Sequence, residues 1–134
     1  MYLYTMRILM LYIFVGTLYI GHAQKPLKKK YRGVYEGEIP EYSIFNGDES
    51  MKISKSTISI SLTKKTISVK IGKLTYGGTY TWKIENKEII VESTLDALTI
   101  SEKMTIDVKS KEMIRFGRSP QPNSRLLKVK KLKT

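Results

Sequence analysis

Few residues of this chain are equipped for covalent or acid–base chemistry. It has no cysteine and a single histidine, His22. Thiol nucleophiles, thiolate-held zinc and disulfides are therefore absent. His22 lies in a segment read below as a cleaved leader, which also removes Ser-His-Asp triads and ordinary transition-metal sites. Carboxylates remain. Glu36 and Glu38 stand at i and i+2, with Glu41 and Tyr42 close behind. Paired carboxylates flanking a bond are the glycosidase arrangement. Two on one face of one strand, however, reach a sugar from one side only, so a partner such as Glu92 or Asp96 would have to be brought opposite. The plainer reading is a solvated strand face, and no catalytic residue is assigned. Asn46-Gly47-Asp48-Glu49 collects oxygen ligands without the alternating pattern of a calcium loop and reads as a turn. No metal and no other cofactor is expected.

Charge is the stronger signal. The 134 residues hold 24 Lys and Arg against 12 Asp and Glu, a formal net charge of +12. Residues 24–32 hold Lys25, Lys28, Lys29, Lys30 and Arg32 and no acid. After Glu112 the chain carries Arg115, Arg118, Arg125, Lys128, Lys130, Lys131 and Lys133 and no acid. Between them, residues 33–112 have eleven lysines and twelve acids, so the excess belongs to the two ends. Basic termini favour solubility, and they also suit docking on anionic lipid or acidic polysaccharide. The candidates for that role are Lys28, Lys29, Lys30, Arg32, Arg125, Lys128, Lys130, Lys131 and Lys133.

The elements that must position these residues begin with a leader. Met1–Arg7 carries one positive charge, Ile8–Ile20 is thirteen uncharged residues, and Gly21-His22-Ala23 offers small residues at −3 and −1. These are the parts of a secretory signal peptide over residues 1–23. Thirteen residues rise about 20 Å as a helix, short of a hydrocarbon core. The Ala-Gln junction has the flavour of Gram-negative envelope proteins, so the expectation is export to the periplasm, the outer envelope or the medium. The lysines that follow also allow an uncleaved anchor in the reverse orientation.

Residues 24–134 read as one β domain, flanked by a basic segment over 24–32 and a Pro-containing basic segment over 119–134. Thr57–Thr63 and Thr66–Gly72 alternate strictly, and folding about Lys64-Lys65 sets Leu62, Ile60 and Ile58 opposite Ile67, Val69 and Ile71. A hairpin at Asn86-Lys87 sets Ile84 opposite Ile89 and Trp82 opposite Val91, with Tyr80 in line. Further turns are expected at Ser101–Lys103, pairing Ile100 with Met104 and Leu98 with Ile106, and at Ser110–Glu112, pairing Ile106 with Phe116. The first strand is Tyr31–Glu38, residues 39–50 are irregular, and Gly77-Gly78 marks a bulge or bend. Arg125–Lys133 reads as an edge strand with Leu127 and Val129 in alternation. The fold class is all-β: an antiparallel up-and-down meander of about eight strands, forming a small barrel or, alternatively, a sandwich.

At Gly33-Val34-Tyr35 the chain resembles the calycin group of barrels, whose lipocalin members open with Gly-x-Trp and carry an Arg in the last meander strand, here Arg115 or Arg118. That resemblance implies a carrier or sensor enclosing a small apolar ligand, without enzymatic activity. Tyr76, Tyr80, Trp82, Ile58, Ile60, Val69, Ile106 and Phe116 are the inward-facing candidates for lining such a cavity, or for filling it as core. A nucleic-acid-binding OB-fold fits less well, because Tyr80 and Trp82 fall on the apolar face and are not free to stack.

Overall fold

The computed structural model describes residues 25–96 and 100–130. The leader predicted over 1–23 and residues Leu98, Lys131 and Lys133 lie outside the described residues. A 3-10 turn, Lys29–Tyr31, precedes strands β1 (Gly33–Ile39), β2 (Tyr42–Phe45), β3 (Ser50–Ile53), β4 (Ser56–Leu62) and β5 (Thr66–Ile71). Then follow β6 (Leu74–Glu85), β7 (Glu88–Leu95), β8 (Ile100–Asp107), β9 (Met113–Phe116) and β10 (Ser124–Lys130). Eight of them close an antiparallel barrel in the order β1-β4-β5-β6-β7-β8-β9-β10, with β10 returning to β1. Residues 39–50, expected to be irregular, instead enter a hairpin, β2–β3, inserted between the first two barrel strands. The architecture is an up-and-down barrel, not a sandwich.

Two hairpins have the register that alternation dictates. In β4–β5, Leu62, Ile60 and Ile58 face Ile67, Val69 and Ile71. Lys64-Lys65 is poor turn chemistry, and threonines supply what it lacks. The Thr63 hydroxyl accepts from the Thr66 N–H at 3.0 Å and meets the Thr66 hydroxyl at 2.6 Å. In β6–β7, Ile84 and Trp82 face Ile89 and Val91 across a turn whose two residues, Asn86 and Lys87, both have positive φ.

Elsewhere the register departs from expectation. Ser101–Lys103 is not a turn but part of the first half of β8; β7 continues to Leu95, and the reversal starts at Asp96, where φ is +45°. The β8–β9 loop is longer than predicted and sets Ile106 opposite Met113, with Lys103 opposite Phe116. Its geometry is fixed by the Asp107 carboxylate, which accepts from the Lys109 and Ser110 N–H groups at 2.9 Å each. These bonds hold the Asp107 carboxyl below its usual range. The resulting shift is odd-numbered, and an odd shift exchanges the two faces of a strand. Phe116 therefore faces outward and Arg115 inward.

Gly77-Gly78 makes no bulge. Strand β6 runs unbroken, pairing through its first half with β5 and through its second with β7. Arg125–Lys133 is not an edge strand either: β10 bonds to β9 on one side and β1 on the other. It buries Leu126 rather than Leu127 and Val129, which lie outside.

The inward-facing side chains form one buried cluster. Tyr35, Ile58, Ile60, Leu62, Val69, Ile89, Val91, Leu95, Met104, Ile106, Met113 and Leu126 are all buried in one cluster, with Tyr76, Tyr80 and Trp82 packed against it. Leu27 and Tyr31 join that cluster from outside the barrel strands and stopper one end.

Candidate functional site

In a meander every second turn lies at the same end of the barrel. The β4–β5, β6–β7 and β8–β9 connections therefore share one end, and they bring five lysines to it: Lys64 and Lys65, Lys87, and Lys109 and Lys111. The N-terminal segment crosses the same end. The Trp82 indole N–H donates to the Lys25 carbonyl at 2.9 Å, the Tyr31 hydroxyl to the Val108 carbonyl at 3.4 Å, and the Arg32 Nε to the Leu27 carbonyl at 2.7 Å. Strand β10 finishes here too, and the Lys128 ammonium donates to the Lys30 carbonyl at 2.6 Å. The two basic segments, 98 residues apart at that bond, are thus joined.

Among the described residues this end gathers Lys25, Lys28, Lys29, Lys30, Arg32, Lys64, Lys65, Lys87, Lys109, Lys111 and Lys128, which is eleven cations, and the backbone of β10 ends here at Lys130. Four acids share it: Glu85, Glu88, Asp107 and Glu112. Of these, Asp107 is committed to its loop and Glu112 is paired with Arg125. The opposite end is nearly balanced, with Glu38, Glu41, Asp48, Glu49 and Asp96 beside Lys52, Lys55, Lys73 and Arg118. The molecule is electrically polarised along the barrel axis. A field of this kind attracts anionic surfaces and orients the molecule upon them.

The predicted docking residues therefore divide. Lys28, Lys29, Lys30, Arg32 and Lys128 belong to the basic end, where the backbone of Lys130 also lies. Arg125 lies further along β10, engaged by Glu112. Sequence reasoning missed Lys64, Lys65, Lys87, Lys109 and Lys111, because it counted residues 33–112 as neutral without asking where their turns point. The parity of turns in a meander was the available signal.

Two concavities are relevant. A cleft of about 340 Å³ lies in the basic end, between the N-terminal segment and the β6–β7 hairpin. Its walls are Leu27, Tyr31, Trp82, Ile84, Ile89 and Val108, and Lys28, Lys30 and Lys87 complete its lining. Ile84 stands 55% exposed there. A second, shallower groove of about 540 Å³ runs over β6–β9, where Thr79, Thr81, Thr94 and Ser101 lie beside Glu92, Lys103, Phe116 and Arg118. The Lys103 ammonium sits 5.7 Å from the Phe116 ring centre, and the Arg118 guanidinium donates to the Ser101 hydroxyl at 2.7 Å.

The residues expected to line a ligand cavity are not one set. Ile58, Ile60, Val69 and Ile106 are closed within the core, while Tyr76, Tyr80 and Trp82 are half-buried at its margin. Phe116 is on the outer wall, a correction that follows from the β8–β9 register. The Tyr80 hydroxyl donates to the Thr63 carbonyl at 2.6 Å; burial raises its pKa, and Arg32 partly opposes the rise.

Glu36 and Glu38 are exposed on β1, and Glu92 is exposed on β7, four strands away in either direction round the barrel. The paired-carboxylate arrangement is not assembled. Glu41 is held by Lys52 at 2.7 Å. Among the described residues no three acidic or histidine side chains come together to hold a metal. Arg115 and Arg118, the arginines of the calycin resemblance, are engaged by Glu102 with Gln121 and by Ser101 respectively. The Tyr35 hydroxyl donates to the Tyr31 carbonyl at 2.6 Å. No protein-family model, no curated protein and no solved structure matches the chain.

Proposed function

We propose that the protein is an exported, non-enzymatic module that docks by the basic end of its barrel on the anionic lipid surface of a bacterial envelope. One observation carries this reading: both basic segments and three lysine-bearing turns converge on that end. Each lysine or arginine near an anionic lipid surface contributes about 1 kcal/mol, so together these cations bind what none would hold alone. Lipid is favoured over acidic polysaccharide because Ile84 stands exposed among these lysines, and surface binding gains from apolar insertion together with charge. The leader pattern supports export. The eight-stranded meander opening on Gly33-Val34-Tyr35 supports a calycin-like barrel. Enclosure of a ligand, the activity that resemblance implies, has less support, because the inward residues pack on one another.

The test is co-sedimentation with vesicles of phosphatidylglycerol and phosphatidylcholine. Binding is expected with the anionic vesicles only and to weaken steeply with added salt. Replacing Lys64 and Lys65 with Gln should weaken binding about fivefold per lysine, although neither lies in a terminal segment. Replacing Lys55 and Lys73, at the opposite end, should change nothing. Equal losses from both pairs, or binding to acidic polysaccharide and not to the vesicles, would overturn the proposal.

A further inference from the structure

We infer that the cleft in the basic end is a binding site for one single-chain anionic amphiphile, with its acid group on Lys28, Lys30 and Lys87 and its hydrocarbon chain against Trp82, Ile84 and Val108. The site lies outside the barrel wall and deepens the docking reading above, on which it rests for the location of the ligand.

The cleft measures about 340 Å³ and is lined by six apolar or aromatic residues and by three lysines, and the Lys30 ammonium lies 5.1 Å from the centre of the Tyr31 ring. Its deep wall is made by Leu27, Tyr31 and Ile89, which belong to the buried core cluster. Its outer wall is Ile84, an exposed side chain whose apolar surface has nothing to lose by being covered. The shape is also prepared in advance. Lys87 is fixed by a tight turn in which Asn86 and Lys87 adopt positive φ, and the Lys87 carbonyl accepts from the Val108 N–H at 3.1 Å. Trp82 is tied to the N-terminal segment through the Lys25 carbonyl. A neutral apolar molecule would leave the lysines unused, and a small anion such as phosphate would leave the cleft empty. Only a ligand with both parts satisfies the whole lining.

Trp82 is the only tryptophan, so its fluorescence reports the cleft directly. The purified protein is titrated with octyl, decyl and dodecyl phosphate below their micellar concentrations, with inorganic phosphate, and with a neutral maltoside of the same chain length. Saturable change is expected with the alkyl phosphates, tightening about threefold to fourfold per methylene until the cleft is full. Inorganic phosphate and the maltoside should bind at least tenfold more weakly than the matching alkyl phosphate. Ile84→Asp, at an exposed position that spares the fold, should abolish the response while leaving the thermal unfolding midpoint unchanged. Lys28→Gln with Lys87→Gln should weaken it about tenfold.

Response to the maltoside equal to that for the alkyl phosphate, or no dependence on chain length, overturns the site. So does a response that survives Ile84→Asp. Vesicle docking without any amphiphile response leaves the docking reading standing and removes the cleft; amphiphile response without vesicle docking does the reverse.

Discussion

Arg115 and Glu102 form a two-point ion pair between β9 and β8, buried on the inner side of the barrel wall. The guanidinium donates from Nε at 3.0 Å and from a terminal nitrogen at 2.8 Å to the two carboxylate oxygens, and its other terminal nitrogen donates to Gln121 at 2.6 Å. Both side chains are less than a tenth exposed. A buried pair of this kind is costly to desolvate and far more costly to break. Glu102→Ala should therefore destabilise the barrel by about 3–5 kcal/mol by stranding the arginine's charge. The double change Arg115→Met with Glu102→Leu should recover most of that loss. Urea unfolding of the single and double variants measures the difference, and additive losses would show that the pair is not coupled.

The same pair explains where reading the sequence failed. Period-two alternation located β4, β5, β6 and β7 because their inward residues are Ile, Val, Leu and aromatics. The rule assumes that inward means apolar. Glu102 made Ser101–Lys103 look like a turn, and Arg115 made Phe116 look like the inward neighbour, so two registers were displaced by residues that are buried only because they found each other. Leu126 escaped notice for another reason: Leu127 and Val129 offer an apolar alternation that suits an edge strand, and only pairing with β1 and β9 on either side shows that the opposite face is the buried one. The basic end was hidden differently. Charge was summed along the chain, whereas a meander sorts charge by alternate turns, so Lys64, Lys87 and Lys109 add to Lys28 and Lys128 only after folding.

The two adjacent glycines of β6 should respond differently to substitution. A Cβ at Gly78 would collide with the Thr94 carbonyl of β7, whereas at Gly77 nothing lies within 4 Å. Gly78→Ala should force β6 and β7 apart and destabilise by about 1–3 kcal/mol, the usual cost of overpacking. Gly77→Ala should be neutral or slightly stabilising, because it reduces the freedom of the unfolded chain. Thermal unfolding of the two variants side by side distinguishes them, and a tolerated Gly78→Ala would mean that the strands approach less closely.

The N-terminal segment should behave as part of the domain and not as a tail. Leu27 is 1% exposed and Tyr31 3%, although both precede the first barrel strand. Leu27→Ala should cost about 2–5 kcal/mol, as for any buried leucine, whereas Lys29→Ala, two residues on and exposed, should cost under about 0.5 kcal/mol. Proteolysis gives a second view. Cleavage in the native state should be slow between Lys25 and Arg32 and should quicken in Leu27→Ala; rapid trimming of the unmodified protein there would sink the stopper assignment.

Stability should fall at alkaline pH in part through Tyr35 and Tyr80. The Tyr35 hydroxyl has its pKa raised well above the ordinary 10.0 by burial, with Tyr31 adding to the rise. Tyr80 is raised by burial as well. A raised folded pKa means that the unfolded chain releases its proton first. The contribution is therefore fully present below about pH 10, and is progressively lost as pH climbs above that value toward the folded pKa. Tyr35→Phe should flatten the alkaline limb of the curve of unfolding free energy against pH. At neutral pH it should cost about 1 kcal/mol, through loss of the bond to the Tyr31 carbonyl. Comparing variant with parent at each pH cancels the titration of the surface lysines. Tyrosinate absorbance should show at least one hydroxyl ionising only as the protein unfolds; if every tyrosine ionises near pH 10 in the folded state, Tyr35 is not sealed in the core.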